Sequence, residues 1–281
     1  MNLLDGKKSN IEIAARLKTE IAAFSSIPSM VIIQVGDNPA SNVYIRRKIA
    51  YAKSIGAQAV LKKFDDTITE SALISEIQKI NSDSAVHGVI VQLPIPAHIN
   101  FSTIVNAIAP AKDIDGLGAV NMYKLMTRDM SGLVPATARG VVTLLEHNNV
   151  DLKGARVVVI GRSMLVGKST ALHILNQDAT VTICHSKTRN LADYTKTADI
   201  IVVATGHPGT LTDEHTVPGQ VVVDVGISVV DGVIKGDTAL QHIDVLRSFS
   251  PVPGGVGPMT VASLFENLVK TYQMQNASKK V

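Results

Sequence analysis

The chain has 281 residues, of which 46% are hydrophobic and 18% charged, with one Cys and no Trp. At about 100–200 residues per domain it holds one large domain or two ordinary ones, and its apolar fraction excludes wholesale disorder and fibrous repeats. No apolar run nears the ~18 residues of a bilayer span, and a net charge of +3 from scattered cations is too mild to argue for nucleic acid, though it suits a small anionic ligand.

The segment MNLLDGKKSNIEIAARL has charges where a secretory leader needs apolar residues. A lone Cys184 makes no internal disulfide and no cysteine cluster offers a metal site. The expectation is a soluble cytoplasmic protein with no membrane, metal or nucleic-acid partner.

In chain order, β-branched runs alternate with helical patterns, the signature of an α/β protein with parallel strands. Strands are expected at 30–35, 59–64 and 86–93, with helices at about 41–55 and 71–81 between them. Turn residues crowd 110–135, and a connecting helix follows at 137–148. The second half repeats the theme in RVVVIG, TVTICHS, DIIVVATG and QVVVDVG. Runs this apolar suit strands covered by helices on both faces. A Pro/Gly cluster, SPVPGGVGPMT, precedes a last amphipathic helix at 261–273, and the tail QNASKKV reads as frayed. Spacing alone leaves open which half that helix packs on.

The most informative local segment is VVVIGRSMLVGKSTALHIL. Strand, glycine turn and helix in that order point backbone N–H groups and a positive helix end at a phosphate. GKST invites a Walker A reading, but five residues separate Gly161 from Gly167 where that motif has four. Against the dinucleotide pattern G-x-G-x-x-G, Gly161 takes the first position while Ser163 and Val166 replace the others. The ribose-reading residue is expected at the end of the next strand, as an acid for NAD. There the chain has Cys184-His185-Ser186-Lys187, then Arg189, with Arg162 from the first turn. Hydroxyls and cations without an acid favour NADP.

In the first half, VGDNPASNVYIRRKIAYAKSIG starts a helix near Pro39 to Ser41. At 100° per residue Tyr44, Lys48, Tyr51 and Ile55 share a stripe, with Arg46 and Lys53 opposite. Lys48 is then either a snorkelling side chain with its ammonium in water or a partly buried amine able to exchange protons near neutrality. Gln92 ends the third strand, where ligand-facing residues of parallel sheets lie. Asp113 and Asp115 occupy the loop KDIDGLG, where carboxylates commonly form turns. Lys48, Gln92 and an Asp would suit a polar heterocycle, but spacing does not bring them together.

VGDNPASNVYIRRK, GVIVQLPIP, KDIDGLG, VVVIGRSMLVG, CHSKT and PVPGGVGPMT occur here in the order seen in the bifunctional methylenetetrahydrofolate dehydrogenase/methenyltetrahydrofolate cyclohydrolase family. The resemblance covers essentially the whole chain. It implies oxidation of 5,10-methylenetetrahydrofolate with NADP+ to the methenyl form, then hydrolysis to 10-formyltetrahydrofolate, in one-carbon metabolism. It also implies two α/β domains: a folate-binding catalytic domain at 1–136, joined by the last helix at 258–281, and a Rossmann-like NADP domain at 137–257. A homodimer and an active site in the interdomain cleft follow from the same resemblance. Carried over by motif, Lys48 is the catalytic lysine, Tyr44 packs on the folate, Gln92 supports the lysine and Asp115 anchors the pterin. Val91, Leu93, Pro253, Gly254 and Gly255 join the folate site, and the segment 253–257 closes the cleft. Gly161, Arg162, Ser163, Ser186 and Ile227 line the NADP site.

Two departures stand out: the family's PCTP is Pro135-Ala136-Thr137-Ala138 here, and its Pro after VGK is Ser169. They leave the balance of activities and the cofactor preference open. So do two other readings: a dehydrogenase with little or no cyclohydrolase activity, and a silent NADP- or folate-binding paralogue. The presence of Lys48 and Gln92 argues against the first, and that of Lys48 and Asp115 against the second.

Overall fold

The computed structural model describes residues 1–230 and 232–277. In chain order, β1 (Asn2–Leu3), α1 (Gly6–Ala22), β2 (Ser29–Val35), α2 (Pro39–Ile55), β3 (Gln58–Phe64), α3 (Glu70–Ser82) and β4 (Gly88–Val91) come first. They are followed by α4 (Phe101–Ala107), α5 (Ala119–Met126), α6 (Ala136–His147), β5 (Arg156–Ile160), α7 (Ser169–Leu175), β6 (Thr180–Cys184) and α8 (Leu191–Thr195). Then come β7 (Ile200–Val203), β8 (Leu211–Thr212), β9 (Val221–Asp224), β10 (Ser228–Val230), β11 (Val233–Lys235), β12 (Thr238–Ala239), β13 (Ser248–Ser250) and α9 (Val256–Ala277). The chain divides into two compact units: Glu12–Ala136 with the residues from Leu264 on, and Met1–Ile11 with Thr137–Ser263. Among the described residues no helix is long and apolar enough to cross a membrane.

The unit containing Glu12–Ala136 is built on a parallel sheet of order β3-β2-β4. Val31, Ile33 and Val89 from the sheet pack with Leu73 and Ile77 of α3 and Ile104 of α4. Full burial of such a side chain is worth about 1.5–3 kcal/mol. β3 is the sheet's edge and lacks full cover on its faces, leaving Val60 and Leu61 exposed. Lys62 and Lys63 on this strand discourage pairing with another chain. The chain passes from β2 through α2 to β3, then crosses back through α3 to β4. The carboxyl ends of β2 and β4 therefore flank a topological switch point, where ligands bind in open parallel sheets.

The C-terminal part of α9 belongs to this unit. Asn267 donates to the carbonyls of Ile114 (2.9 Å) and Val134 (2.8 Å), and Tyr272 stacks on Phe24 at 4.5 Å. The helix starts at Val256, five residues before the expected 261. Pro258 is the reason: its missing N–H costs nothing in a first turn, so the Pro/Gly cluster runs into the helix. Of the tail expected to fray, 275–277 are helical, and 278–281 lie outside the described residues.

The second unit carries a six-stranded sheet of order β1-β13-β9-β7-β5-β6, parallel throughout. Val158, Ile160, Ile201, Val203 and Val222 form its core. β6 is an edge strand with Ile183 exposed, again without cover on both faces. From β5 the chain turns to β6 on one side and then to β7 on the other. A second switch point thus opens at the carboxyl ends of β5 and β7.

Candidate functional site

Two sites emerge, one in each unit. In the first, α2 is fixed at both ends. Asn38 Oδ1 accepts from the Ser41 N–H (3.1 Å), Pro39 opens the first turn, and Gly56 closes the helix at φ +83°. These are the residues that favour a helix start and an αL stop. The buried line of α2 is Ser41, Ile45, Ala52 and Ile55. Tyr44, Lys48 and Tyr51 flank it half-buried, while Arg46 and Lys53 are exposed.

Lys48 Nζ donates to Gln92 Oε1 at 3.0 Å. Gln92 Nε2 is turned to the Leu93 carbonyl (2.9 Å), which Ser41 Oγ also reaches at 2.9 Å. That bond commits the amide nitrogen elsewhere, so only the carboxamide oxygen faces the lysine. Burial pushes the Lys48 ammonium below its usual range, against the pull of the Asp115 charge. Burial likewise raises the Asp115 carboxyl to about 6, opposed by Lys48 and reinforced by Asp113.

The two aspartates of KDIDGLG have different work. Asp113 is buried and accepts from Gly118 N (2.8 Å), Asn121 Nδ2 (3.0 Å) and Leu117 N (3.3 Å), so it builds the turn. Asp115 is held through its backbone: its carbonyl accepts from Ala136 N (3.3 Å), and Asn267 grips the preceding carbonyl of Ile114. Asn267 has no local sequence signal, since it comes from α9, 152 positions beyond Asp115 (267 − 115). Ala136 and Ala138, the first departure from the family pattern, are buried.

Of the other expected folate contacts, Tyr44 has the Arg47 guanidinium 5.8 Å from its ring centre, and the Val91 side chain lies in the core. The Leu93–Pro94 and Val252–Pro253 peptides are cis. Pro253, Gly254 and Gly255 belong to the second unit, not to the one carrying Lys48. There Gly255 N donates to Pro251 O at 2.7 Å. A Cβ on Gly6 would strike the Gly255 carbonyl.

The second site is a cavity of about 600 Å³ at the β5/β7 switch point. It brings together all five expected cofactor residues, Gly161, Arg162, Ser163, Ser186 and Ile227. Lys187 and Arg189 are not among its lining residues, whereas His185 and Thr188 are. Gly161 has φ +128°, and an added Cβ would run into the Ala204 carbonyl oxygen. Ser163 caps the following helix, its Oγ accepting from Val166 N and Gly167 N, both at 3.3 Å.

The spacing puzzle resolves here. Residues Met164–Lys168 form a π-helical turn before α7, which accommodates an extra residue relative to an α-helical turn. The glycine that permits close packing therefore comes one place late: a Cβ on Gly167 would meet the Gly161 carbonyl. Ser169, the second departure, is buried and returns its hydroxyl to Val166 O (3.0 Å) and Leu165 O (3.1 Å), so it serves this turn without a proline. This cavity size falls in the range of small-molecule sites, about 300–1,000 Å³.

Known proteins resemble this chain over nearly its whole length. Residues 4–115 match the family description "Tetrahydrofolate dehydrogenase/cyclohydrolase, catalytic domain", and residues 135–276 match its NAD(P)-binding domain. A "Bifunctional protein FolD" from a Hydrogenobaculum species is 41% identical over 277 residues, covering 98% of this chain and 100% of that one. The crystal structure of the Campylobacter jejuni bifunctional enzyme FolD-methylenetetrahydrofolate dehydrogenase/cyclohydrolase superposes with a TM-score of 0.93 at 38% identity, over 98% of this chain and 99% of that one. A Trypanosoma brucei methylenetetrahydrofolate dehydrogenase-cyclohydrolase, complexed with NADP cofactor and inhibitor, gives 0.89 at 34% identity over 96% of each chain.

Proposed function

The chain belongs to the tetrahydrofolate dehydrogenase/cyclohydrolase family, and we infer that it oxidises 5,10-methylenetetrahydrofolate with NADP+ and hydrolyses the methenyl product to 10-formyltetrahydrofolate. The observation that carries the reading is the Lys48–Gln92 bond at 3.0 Å with Asp115 beside it. The unit with Lys48 takes the folate, and the unit with Gly161 takes the dinucleotide.

NADP+, when bound, supplies the hydride acceptor. Gly161 leaves room for the nucleotide's close approach, Arg162 and Ser186 suit its 2′-phosphate, and Ser163 and Ile227 complete the wall. For oxidation the protein's task is orientation. In the unit with Lys48, Tyr44 and the backbone at Val91 and Leu93 serve that end, and in the other unit the turn at Pro253, Gly254 and Gly255 does.

Hydrolysis asks more of the side chains. As water's oxygen bonds to the methenyl carbon, one proton must leave it; as the bond from that carbon to N5 breaks, a second must pass from the hydroxyl to N5. Lys48 suits both transfers because burial has brought its amine closer to neutrality. Gln92 Oε1 keeps that amine oriented. Asp115, when ionised, accepts the N–H groups of the pterin and offsets the Lys48 charge.

With Asp115 raised to about 6, its ionised form is lost as pH falls through that value. The folate KM is expected to rise below that pH, as the pair titrates together. Asp115→Asn should raise the KM about tenfold or more and erase the inflection, because a charge-assisted acceptor becomes a neutral one. A wild-type profile flat from pH 5 to 8 would refute this role.

Initial rates of cofactor reduction with NADP+ and with NAD+ test the reading as a whole. Faster reduction at low NADP+ is expected, and no reduction with either would overturn it. A homodimer acting in the cytoplasm, with purine synthesis consuming the formyl group, completes the proposal on the strength of the family resemblance.

A further inference from the structure

Two buried carboxylates stand behind the nucleotide cavity, and the chemistry above uses neither. Asp224 ends β9 and Asp237 precedes β12; both are withdrawn from solvent, at 1% and 0% exposure. Asp237 Oδ2 accepts three bonds from one loop: Thr205 N (2.5 Å), Thr205 Oγ1 (2.9 Å) and Gly206 N (2.9 Å). Thr205 and Gly206 line the cavity, while Asp237 does not.

Asp224 holds Asp237 in turn. Its Oδ1 accepts from Asp237 N (3.0 Å) and Gly226 N (2.9 Å), and its Oδ2 from Thr238 N (2.9 Å) and Thr238 Oγ1 (2.8 Å). Gly226 also lines the cavity, and a Cβ there would strike the Asp237 carboxylate. The two wall segments, 204–207 and 225–227, thus hang on one pair of carboxylates. Among the described residues Asp237 Oδ1 is buried with no hydrogen-bond partner.

We propose that Asp237 is a positioning residue for the dinucleotide, setting the Thr205–Gly206 wall against the bound cofactor without touching it. The inference rests on the nucleotide reading of this cavity. A wall held by three bonds to a buried carboxylate is preorganised, so the cofactor need not order it on binding.

Titration of NADP+ into wild type, Asp237→Ala and Asp237→Asn tests this, together with KM for both substrates and the melting temperature. Asp237→Ala is expected to weaken NADP+ about tenfold or more, since three loop donors lose their acceptor. Asp237→Asn keeps one acceptor oxygen but loses the charge, and should fall about threefold short of wild type. The folate KM should stay within about twofold, a split that separates positioning from general damage. A merely structural residue would lower the melting temperature and leave NADP+ affinity unchanged in the folded protein; that result overturns the proposal. Should Asp237→Ala not fold, unchanged affinity in Asp237→Asn overturns it equally. Wild type that binds no NADP+ removes this inference and the nucleotide reading together.

Discussion

Lys48→Met is expected to slow hydrolysis of methenyltetrahydrofolate by about 10²–10⁴-fold, the usual contribution of a positioned proton-transfer group. Methionine keeps the length and apolar stem of lysine but moves no proton, so the fold around α2 should survive. NADP+ affinity should change by less than about twofold, because the cofactor residues lie in the other unit. The stability effect has a definite sign. Burial holds the Lys48 pKa below its value in the unfolded chain, so the charged amine costs stability at every pH below that lowered pKa. The cost fades as pH rises toward the ordinary 10.5. At pH 7 the Met variant should therefore melt no lower than wild type. Calorimetry and NADP+ titration on the variant decide the matter. Joint loss of NADP+ affinity and stability would mark Lys48 as a structural residue.

Gly161→Ala is expected to abolish nucleotide binding. The backbone there, at φ +128°, is open to glycine and not to alanine, and the new methyl would run into the Ala204 carbonyl. Strain of this kind costs about 1–3 kcal/mol, and forcing an atom into a packed site costs about 1–3 kcal/mol more. Either the β5 turn shifts away from β7 and the cavity closes, or the unit loses much of its stability. NADP+ titration should show at least about a hundredfold loss, and the melting temperature should drop. An Ala variant that binds NADP+ as tightly as wild type would show that the turn does not approach the ligand.

The strands that carry both sites were legible because fully buried parallel strands read as unbroken apolar runs. Gly88–Val91 and Ile200–Val203 are of this kind. α5 was not legible. Val120, Tyr123 and Met126 are apolar and exposed while Met122 and Leu125 are apolar and buried, so the helical period is blurred. β1 and β13 were missed because two or three residues leave no pattern to read.

In the reactive site, the stripe on α2 placed Lys48 beside apolar surface, but its partner 44 residues away became visible only through the order of motifs. The same holds more strongly for Asn267 and Asp237. Each acts by hydrogen bonds to carbonyls or amides far along the chain, and such bonds leave no local periodicity. Gly167 falls one place outside the dinucleotide pattern, because an extra residue in a π-helical turn defeats a fixed spacing rule.

The most direct single measurement is a progress curve with 5,10-methylenetetrahydrofolate and NADP+, following NADPH and the methenyl intermediate together. NADPH should rise while methenyl stays at or below the level set by uncatalysed hydrolysis. Methenyl accumulating mole for mole with NADPH would contradict the role given to Lys48 and leave a dehydrogenase alone.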